Sequence, residues 1–262
     1  MLTYPLPARR RAQITVSDVS VTRGGHPVLQ HVDLTVSATS RLAIVGENGA
    51  GKSTLIRVLA GLYQPSTGEV LLDGRDLRDI GIDDWHQHLA VMSQDFLRYE
   101  FATAENNIYF GDVHRPRDDE RVRRAARDAE AMEFIEKMPS GFENYVSNWM
   151  EDPRGRKGSG LSGGQWQRLA MARNFYRDAP FVVMDEPTSA IDALAEHRIF
   201  TRLFADRSRT IVAISHRLAT IEKADVVHML EDGRVVESGT HRELVALRGR
   251  YFRMFESQLP ED

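Results

Sequence analysis

The sequence predicts an α/β fold in which a largely parallel sheet follows a strand-rich N-terminal part. Three continuous apolar runs, "RLAIV" (41–45), "APFVVM" (179–184) and "RTIVAIS" (209–215), have the pattern of strands buried on both faces. Earlier in the chain, "ITVSDVSV" (14–21) and "VDLTV" (32–36) alternate in polarity, as half-buried strands do. Parallel strands need crossover connections, so helices are expected between the apolar runs.

The remaining segments extend this pattern. The segment "EVLLDGRDL" (69–77) continues the alternating strands, and "ADVVHMLEDGRVVESG" (224–239) predicts a hairpin that turns at Asp232-Gly233. Between about 95 and 172 the chain is polar and helical. Within that stretch, 118–138 predicts one helix with a charged, solvated face.

Composition limits the class of protein. A chain of 262 residues with 42% apolar residues can form a large core, and no apolar run approaches the roughly 18 to 20 residues that span a bilayer. The net charge of −4 argues against a general nucleic-acid binder. The lack of cysteine excludes disulfides and thiolate metal sites and suits the cytoplasm. Residues 1–13 predict a linker, for which contacts between Arg9 to Arg11 and lipid headgroups are an alternative.

A phosphate-binding loop is predicted at "GENGAGKST" (46–54), because G-x-x-x-x-G-K-S lies directly after a buried strand and before an apolar helix. Backbone N–H groups of the loop would close on the β- and γ-phosphates at a positive helix N-terminus. Lys52 would add a mobile positive charge, and the Ser53 hydroxyl would bind Mg²⁺. The loop residues assigned to the nucleotide are Gly46, Glu47, Asn48, Gly49, Ala50, Gly51, Lys52, Ser53 and Thr54.

Two carboxylates leave a buried strand in "FVVMDEP". Beside a phosphate-binding loop, Asp185 suits the coordination sphere of a metal and Glu186 suits polarising the attacking water. The structural alternative is a plain helix cap, with Pro187 opening the next helix. Gln94 and His216 end two further strands, and each of them alone is more often structural than catalytic.

The shared position of these residues is a stronger argument for a functional site than the type of any one of them. Gly46, Gln94, Asp185, Glu186 and His216 all come directly after the C-terminal end of a predicted strand. In open α/β sheets, ligands bind at that edge. Packing does not explain why five residues suited to phosphoryl transfer share it, so the sequence predicts a phosphoryl-transfer site. Its catalytic residues are predicted to be Lys52, Gln94, Glu186 and His216.

A second anion site is predicted in "GSGLSGGQWQRLAMAR" (158–173). Ser162 is a good N-cap, and Gln165 lies three residues later, which completes a capping box. A capped helix does not explain Gly163 and Gly164, each of which costs up to about 1 kcal/mol in the first turn relative to alanine. Bare backbone at those positions suits the close approach of an anion to the N–H groups.

With these segments in place, the sequence resembles the nucleotide-binding domain of an ATP-binding-cassette (ABC) transporter. The signature motif of that family is "LSGGQ" (161–165), and it occurs here together with the phosphate-binding loop and "VVMDE" (182–186). The resemblance extends from about Ile14 to Gln258. "TAENNIYFGD" and the C-terminal "ADVVHMLEDGRVVESGTHRELVALRGRYFRMFESQ" are similar to the exporter branch of the family.

The resemblance implies a RecA-like P-loop NTPase core with an N-terminal antiparallel β-subdomain and an inserted α-helical subdomain. The core would comprise 14–94 and 173–258, the helical subdomain 95–172 and a tail 259–262.

The resemblance also implies that two such domains close head to tail around two molecules of ATP, with Mg²⁺. Gln94 would sense Mg²⁺, as a metal-site residue beside Ser53 and Asp185, and would also sense the transmembrane partner. Asp192, in "SAID", would be the D-loop residue, and His216 would contact the γ-phosphate. The signature, Ser162 to Gln165, would serve the ATP held by the other domain.

Two segments depart from the family pattern. Where exporters usually place an aromatic residue to stack on adenine, the match in "VSVTRGG" is Arg23, whose guanidinium can also stack on a base. The segment "VSNWMEDPRGRKGSG" (146–160) is longer than the usual glycine-glutamate segment of the family and unlike it. Contacts with a transmembrane domain are therefore not predicted there.

The function implied is ATP hydrolysis that powers export across a membrane, with the chain at the cytoplasmic face beside a transmembrane partner. The first alternative is a non-transport ATPase of the same superfamily that acts on DNA or chromosomes. Such proteins carry long coiled coils, and the sequence has no sustained heptad run. A second alternative is a regulatory domain that only binds nucleotide, but Glu186, His216 and the signature are all intact.

Overall fold

A computed structural model describes residues 13–259, and these divide into two compact units. The first unit comprises the chain up to Val91, Ala179–Glu186 and the chain from Asp206 onward. The second comprises Met92–Asp178 and Pro187–Ala205. Residues 1–12, which include most of the predicted linker and the alternative lipid contacts of Arg9 to Arg11, lie outside the described residues.

Helices separate the three apolar runs along the chain, as predicted. The strands are β1 (Ile14–Arg23), β2 (His26–Val36), β3 (Arg41–Gly46), β4 (Thr67–Leu72), β5 (Arg75–Asp76), β6 (Leu89–Met92), β7 (Phe181–Asp185), β8 (Thr210–Ile214), β9 (Val226–Glu231) and β10 (Arg234–Gly239). The α-helices are α1 (Lys52–Leu59), α2 (Ile82–Gln87), α3 (Ala104–Tyr109), α4 (Asp119–Asp128), α5 (Met132–Glu136), α6 (Gly163–Arg177), α7 (Ala193–Ala205), α8 (Leu218–Ile221), α9 (His241–Leu247) and α10 (Arg250–Phe255).

Two sheets form from these strands. The N-terminal sheet has the order β2-β1-β4-β5 and is antiparallel, which confirms the strand-rich opening. The second sheet has the order β10-β9-β3-β8-β7-β6, and β9, β3, β8 and β7 run parallel. The predicted hairpin is confirmed, because β9 and β10 pair across a turn at Asp232 and Gly233, both with positive φ.

The core lies on both faces of the parallel strands. In β3, Leu42 and Ile44 face a cluster that includes the buried side of α1, whereas Ala43 and Val45 face a second cluster with Tyr251 and other residues of the last helices. This two-sided burial explains why the parallel strands are continuously apolar in sequence. No helix in the part of the chain that the structure describes is long and apolar enough to cross a membrane.

The second unit is built around α6, which packs against α3 and α4. Arg173, on α6, donates from Nε to the Asn107 carbonyl at 2.8 Å and from Nη1 to the Leu97 carbonyl at 2.9 Å. Its guanidinium also lies over the ring of Tyr99, at 4.3 Å from the centroid. Burial lowers the pKa of Arg173 to about 10, so it stays charged at neutral pH. One arginine therefore fixes the segment after β6 to α3 and α6.

The prediction of one helix over 118–138 is wrong. Helix α4 ends at Asp128, and Glu130 adopts a left-handed conformation with φ 56° before α5 begins. The Glu130 carboxylate binds two arginines of α7, Arg198 at 2.9 Å and Arg202 at 2.5 Å. These charge-assisted contacts favour the break over a continuous helix.

The structural alternative, in which Pro187 opens the next helix, is also not what the structure has. Pro187 begins a turn that continues through Ser189 and Ala190, and α7 begins only at Ala193. Asp192 ends the turn, and its Oδ1 accepts a hydrogen bond from the Ala195 N–H at 2.8 Å, as an N-cap does.

The segment 146–160, which departs from the family pattern, contains a compact turn. The Asp152 carboxylate accepts hydrogen bonds from the N–H groups of Arg154 and Arg156, each at 2.9 Å, and from Arg156 Nε at 2.7 Å. An isolated bridge pairs Glu151 with Lys157 across it. The side chain of Trp149, next to this turn, is 64% exposed.

A buried histidine makes stability dependent on pH. His228, on β9, is 6% exposed, and neither ring nitrogen has a hydrogen-bond partner. Burial lowers the pKa of His228 from 6.5 to about 4, so the folded protein holds the ring neutral. Because the folded pKa is the lower one, the contribution to stability is present above the unfolded pKa and is lost as pH falls from about 6.5 toward 4.

We therefore expect the wild-type chain to lose about 2 kcal/mol more unfolding free energy between pH 7.5 and pH 5 than the variant His228→Val, because the variant has no proton to bind there. Urea unfolding at the two pH values measures the difference, and the other titrating groups cancel in the comparison. His26→Val, at an exposed position of β2, is the matched control. An equal loss in wild type and His228→Val would contradict the assignment.

Candidate functional site

The predicted phosphate-binding loop joins β3 to α1 in the first unit. Gly46 is the last residue of β3, and α1 begins at Lys52. Gly51, the N-cap of α1, has φ 101°, and a Cβ there would lie 2.8 Å from the Val28 carbonyl oxygen and from Leu29 Cδ2. Only glycine fits this position, so β2 supports the loop closely from behind.

Lys52 lies inside the loop that precedes it. Its Nζ donates to the carbonyl oxygens of Gly46 at 2.7 Å and Glu47 at 2.9 Å. The residue is 6% exposed, and burial lowers its pKa while the nearby Glu186 and Asp185 oppose that shift. A buried ammonium held by two carbonyls is a charge to which a phosphate oxygen can bind strongly.

Asp185 lies at the end of β7 beside Ser53. Burial raises the pKa of the Asp185 carboxyl, and a hydrogen bond from the Ser53 hydroxyl opposes this rise. The carboxylate and the hydroxyl are hard oxygen donors, and they lie at the start of a helix that follows a phosphate-binding loop. These are the ligand types that fit Mg²⁺, which nucleotide sites commonly hold by one or two carboxylates and the phosphates.

No group of three or more His, Cys, Asp or Glu side chains that could hold a metal occurs among residues 13–259. The pair of Ser53 and Asp185 does not form a metal centre by itself, and its role in binding Mg²⁺ stays a prediction. Gln94, the third predicted metal residue, lies two residues after β6 in the second unit, and its metal role stays a prediction.

Glu186 and His216 are in contact. Glu186 directly follows β7, His216 follows β8 by two residues, and Glu186 Oε1 lies 2.8 Å from His216 Nε2. A carboxylate only accepts, so the ring nitrogen is the donor. Both side chains are partly exposed, at 24% and 41%. Glu186 has φ 47°, an uncommon backbone conformation for a residue with a side chain, of the kind found at functional sites.

Arg23 is paired with an aromatic residue that the sequence analysis did not single out. Its guanidinium lies 4.4 Å from the centroid of the Tyr63 ring, and its Nη1 donates to the Tyr63 hydroxyl. Arg57 also lies over this ring, at 5.5 Å. Tyr63 therefore holds the exposed Arg23 guanidinium as a flat surface on which a base could stack.

The signature segment forms the N-terminus of α6 in the second unit. The capping box is confirmed, because Ser162 Oγ accepts from the Gln165 N–H at 3.3 Å and Gln165 Oε1 accepts from the Ser162 N–H at 2.9 Å. No acidic residue lies in the first turn of α6. No carboxylate in the first turn of α6 therefore offsets the positive end of its helix dipole.

The two glycines of the signature have different surroundings. A Cβ on Gly164 would lie 2.6 Å from the Ala190 carbonyl oxygen, so packing alone requires glycine there. A Cβ on Gly163 would meet only the Ala190 Cβ, at 4.0 Å. The argument from anion approach therefore applies to Gly163, whereas the turn before α7 accounts for Gly164.

Gln167 also contacts this turn and is absent from the predicted site. Its Nε2 donates to Ser189 Oγ at 3.1 Å, and its Oε1 accepts from the Ala190 N–H at 2.8 Å. The only sequence signal is a polar residue on the buried stripe of α6, which does not identify a partner.

Comparison with known proteins decides the family. The sequence profile described as "ABC transporter" matches residues 29–189, more than half of the chain. The chain belongs to the ABC transporter family. The match covers the phosphate-binding loop, the signature and Glu186, so this ABC transporter chain carries the ATP-binding ATPase domain of its family.

The relatives of this ABC transporter chain are a multidrug transporter, a lipid flippase and an exporter by name. It is 40% identical over 238 residues to the ABC multidrug transporter atrD of Emericella nidulans, covering 90% of this chain and 17% of the relative. It is 36% identical over 256 residues to the ATP-dependent lipid A-core flippase of Vibrio cholerae, covering 97% and 42%. A solved structure, a bacterial Atm1-family ABC exporter with ATP bound, matches with a TM-score of 0.88 and 33% identity, covering 99% and 44%. The chain thus spans less than half the length of each.

We expect Arg23→Ala to weaken ATP affinity by at most about tenfold, since an exposed cation–π contact contributes roughly 0.5 to 1 kcal/mol and the triphosphate contacts dominate. Nucleotide titration of wild type and variant measures the change. Arg253→Ala, an exposed arginine of α10, is the control. An unchanged dissociation constant would mean that Arg23 does not touch the base.

Proposed function

We propose that this chain binds and hydrolyses Mg²⁺-ATP to power export of a substrate across a membrane. The observation that carries the proposal is the contact of Glu186 with His216 at the ends of neighbouring strands, in the unit that also holds Lys52 inside its phosphate-binding loop. Exporter relatives that extend well beyond the length of this chain support the membrane partner.

The residues of the first unit have distinct roles in this proposal. Lys52 exchanges its carbonyl partners for phosphate oxygens, and the N–H groups of the loop bind the same phosphates. Ser53 and Asp185 hold Mg²⁺, which neutralises charge on the β- and γ-phosphates when bound. Glu186 accepts a proton from the attacking water, and His216 orients Glu186 and contacts the γ-phosphate.

The partners belong to the proposal as well. Two copies of the domain, identical or different, close head to tail, and Ser162, Gly163 and Gln165 of one copy act on ATP held by the other, with Gln94 and Asp192 at the same composite site. The transmembrane part of an exporter binds the pair at the cytoplasmic face of the membrane.

We expect Glu186→Gln to retain ATP binding and to lose roughly 10²- to 10⁴-fold in turnover, which is the usual contribution of a general base. The amide keeps the shape of the side chain but does not accept the proton from water. Steady-state phosphate release and nucleotide titration measure the two quantities, with the exposed Glu256→Gln as control. Near-normal hydrolysis by Glu186→Gln would remove Glu186 from the mechanism.

A mixing experiment tests the shared site. Lys52→Ala and Ser162→Arg are each expected to be inactive alone, because each carries a lesion at every composite site. In a mixed dimer, one site carries both lesions and the other carries neither. Random pairing makes half of the dimers mixed, so about a quarter of wild-type hydrolysis should return if the sites are independent. No recovery, with mixed dimers shown to form by co-purification of two tags, would rule out the shared site.

The alternative of an ATPase acting on DNA finds no support among the relatives. It differs from the proposal in two measurements. It requires hydrolysis to rise on addition of double-stranded DNA, and it requires the native protein to fractionate with chromosomal DNA. We expect hydrolysis independent of DNA and recovery with the membranes.

A further inference from the structure

A single buried amide links the signature helix to the turn before α7. Gln167 lies on α6, two residues beyond the signature, and is 2% exposed. Its side chain contacts Ser189 and the backbone of Ala190, so one glutamine bonds to both residues at the middle of that turn.

The chemistry of the contact selects glutamine. Its Nε2 must donate to a hydroxyl oxygen and its Oε1 must accept from a backbone N–H, within the same buried space. A neutral amide of this length offers a donor and an acceptor together, whereas glutamate offers only acceptors and methionine offers neither. A buried N–H left without its acceptor carries a desolvation penalty, so the contact resists local change.

Close packing strengthens the same junction. The absence of a Cβ on Gly164 lets the Ala190 carbonyl oxygen approach the first turn of α6. Two residues after Ala190, Asp192 caps α7 through the Ala195 N–H, and this hydrogen bond lowers the pKa of Asp192. The signature and Asp192 are therefore joined through a few bonds of rigid backbone.

We propose that Gln167 is a positioning residue, which holds Asp192 and the signature in one fixed geometry for the nucleotide of the partner copy. The inference rests on the proposed function, because it assigns Gln167 to the composite site. Gln167 itself touches no nucleotide. Replacement of Gln167 should leave ATP binding at the phosphate-binding loop of the same chain unchanged. It should reduce hydrolysis only at the composite site to which the altered chain contributes the signature.

The mixed dimer separates positioning from general damage. In the mixture of Lys52→Ala with Ser162→Arg, the intact site takes its signature from the Lys52→Ala chain and its phosphate-binding loop from the other chain. Gln167→Met is added first to the Lys52→Ala chain and, in a second mixture, to the Ser162→Arg chain. Gln87→Met, at an exposed position of α2, is the control substitution in both mixtures.

We expect the recovered hydrolysis to fall about tenfold when Gln167→Met is on the Lys52→Ala chain, from the loss of two buried hydrogen bonds, and to be unchanged when it is on the Ser162→Arg chain. The dissociation constant for ATP of Gln167→Met alone should equal that of wild type. Ser189→Ala, which removes one of the two partners, should give a smaller loss in the same mixture only. If thermal melting shows that Gln167→Met is unfolded, Ser189→Ala takes its place in both mixtures.

Two results would overturn the inference. An equal fall in both mixtures would mean that Gln167 only stabilises the fold, and no fall in either would mean that the contact is dispensable. The parent mixture is that of Lys52→Ala with Ser162→Arg, without a change at Gln167. If it recovers no hydrolysis although mixed dimers are present, the shared site of the proposed function is overturned instead. The parent mixture thus distinguishes failure of the function from failure of the role given to Gln167.

Discussion

The parallel register of three strands determines where the reactive groups of the first unit lie. Ile44 of β3 pairs with Ile214 of β8, and Ile214 pairs with Asp185 of β7. Strands β7 and β8 therefore end level with each other, β3 extends two residues further, and the residues that follow the three strands emerge along one edge. A slip of one residue would turn a set of buried side chains to the opposite face, and the apolar cores on both sides of the sheet oppose such a slip.

Burial at that edge makes each charge depend on its neighbours. Lys52 and Asp185 are both almost fully buried, and burial disfavours the charged form of each. Glu186 and Asp185 lie near enough to Lys52 to oppose the fall in its pKa. An incoming anion would also oppose the fall in the pKa of Lys52, but it would repel the carboxylates of Asp185 and Glu186. A cation bound by Ser53 and Asp185 would reduce that repulsion.

The sequence predicted those features that depend on pattern alone. Continuous apolar runs identified the parallel strands, and the placement of Lys52 and Glu186 beside them followed from known βα geometry. The break at Glu130 was not predictable, because it depends on Arg198 and Arg202, which lie about seventy residues later in the chain. The same holds for Gln167 and for the pairing of Arg23 with Tyr63, since each contact joins segments whose proximity arises only in the fold.

The three tryptophans differ sharply in their surroundings, and this has a spectroscopic consequence. Trp85 in the first unit and Trp166 in the second are 2% and 4% exposed, whereas Trp149 is 64% exposed. Dissolved quenchers such as iodide should therefore reach Trp149 and leave the emission of the other two nearly intact. With Trp149 replaced by phenylalanine, the remaining fluorescence would come from one interior indole in each unit, so the two units could be followed separately by a further single replacement.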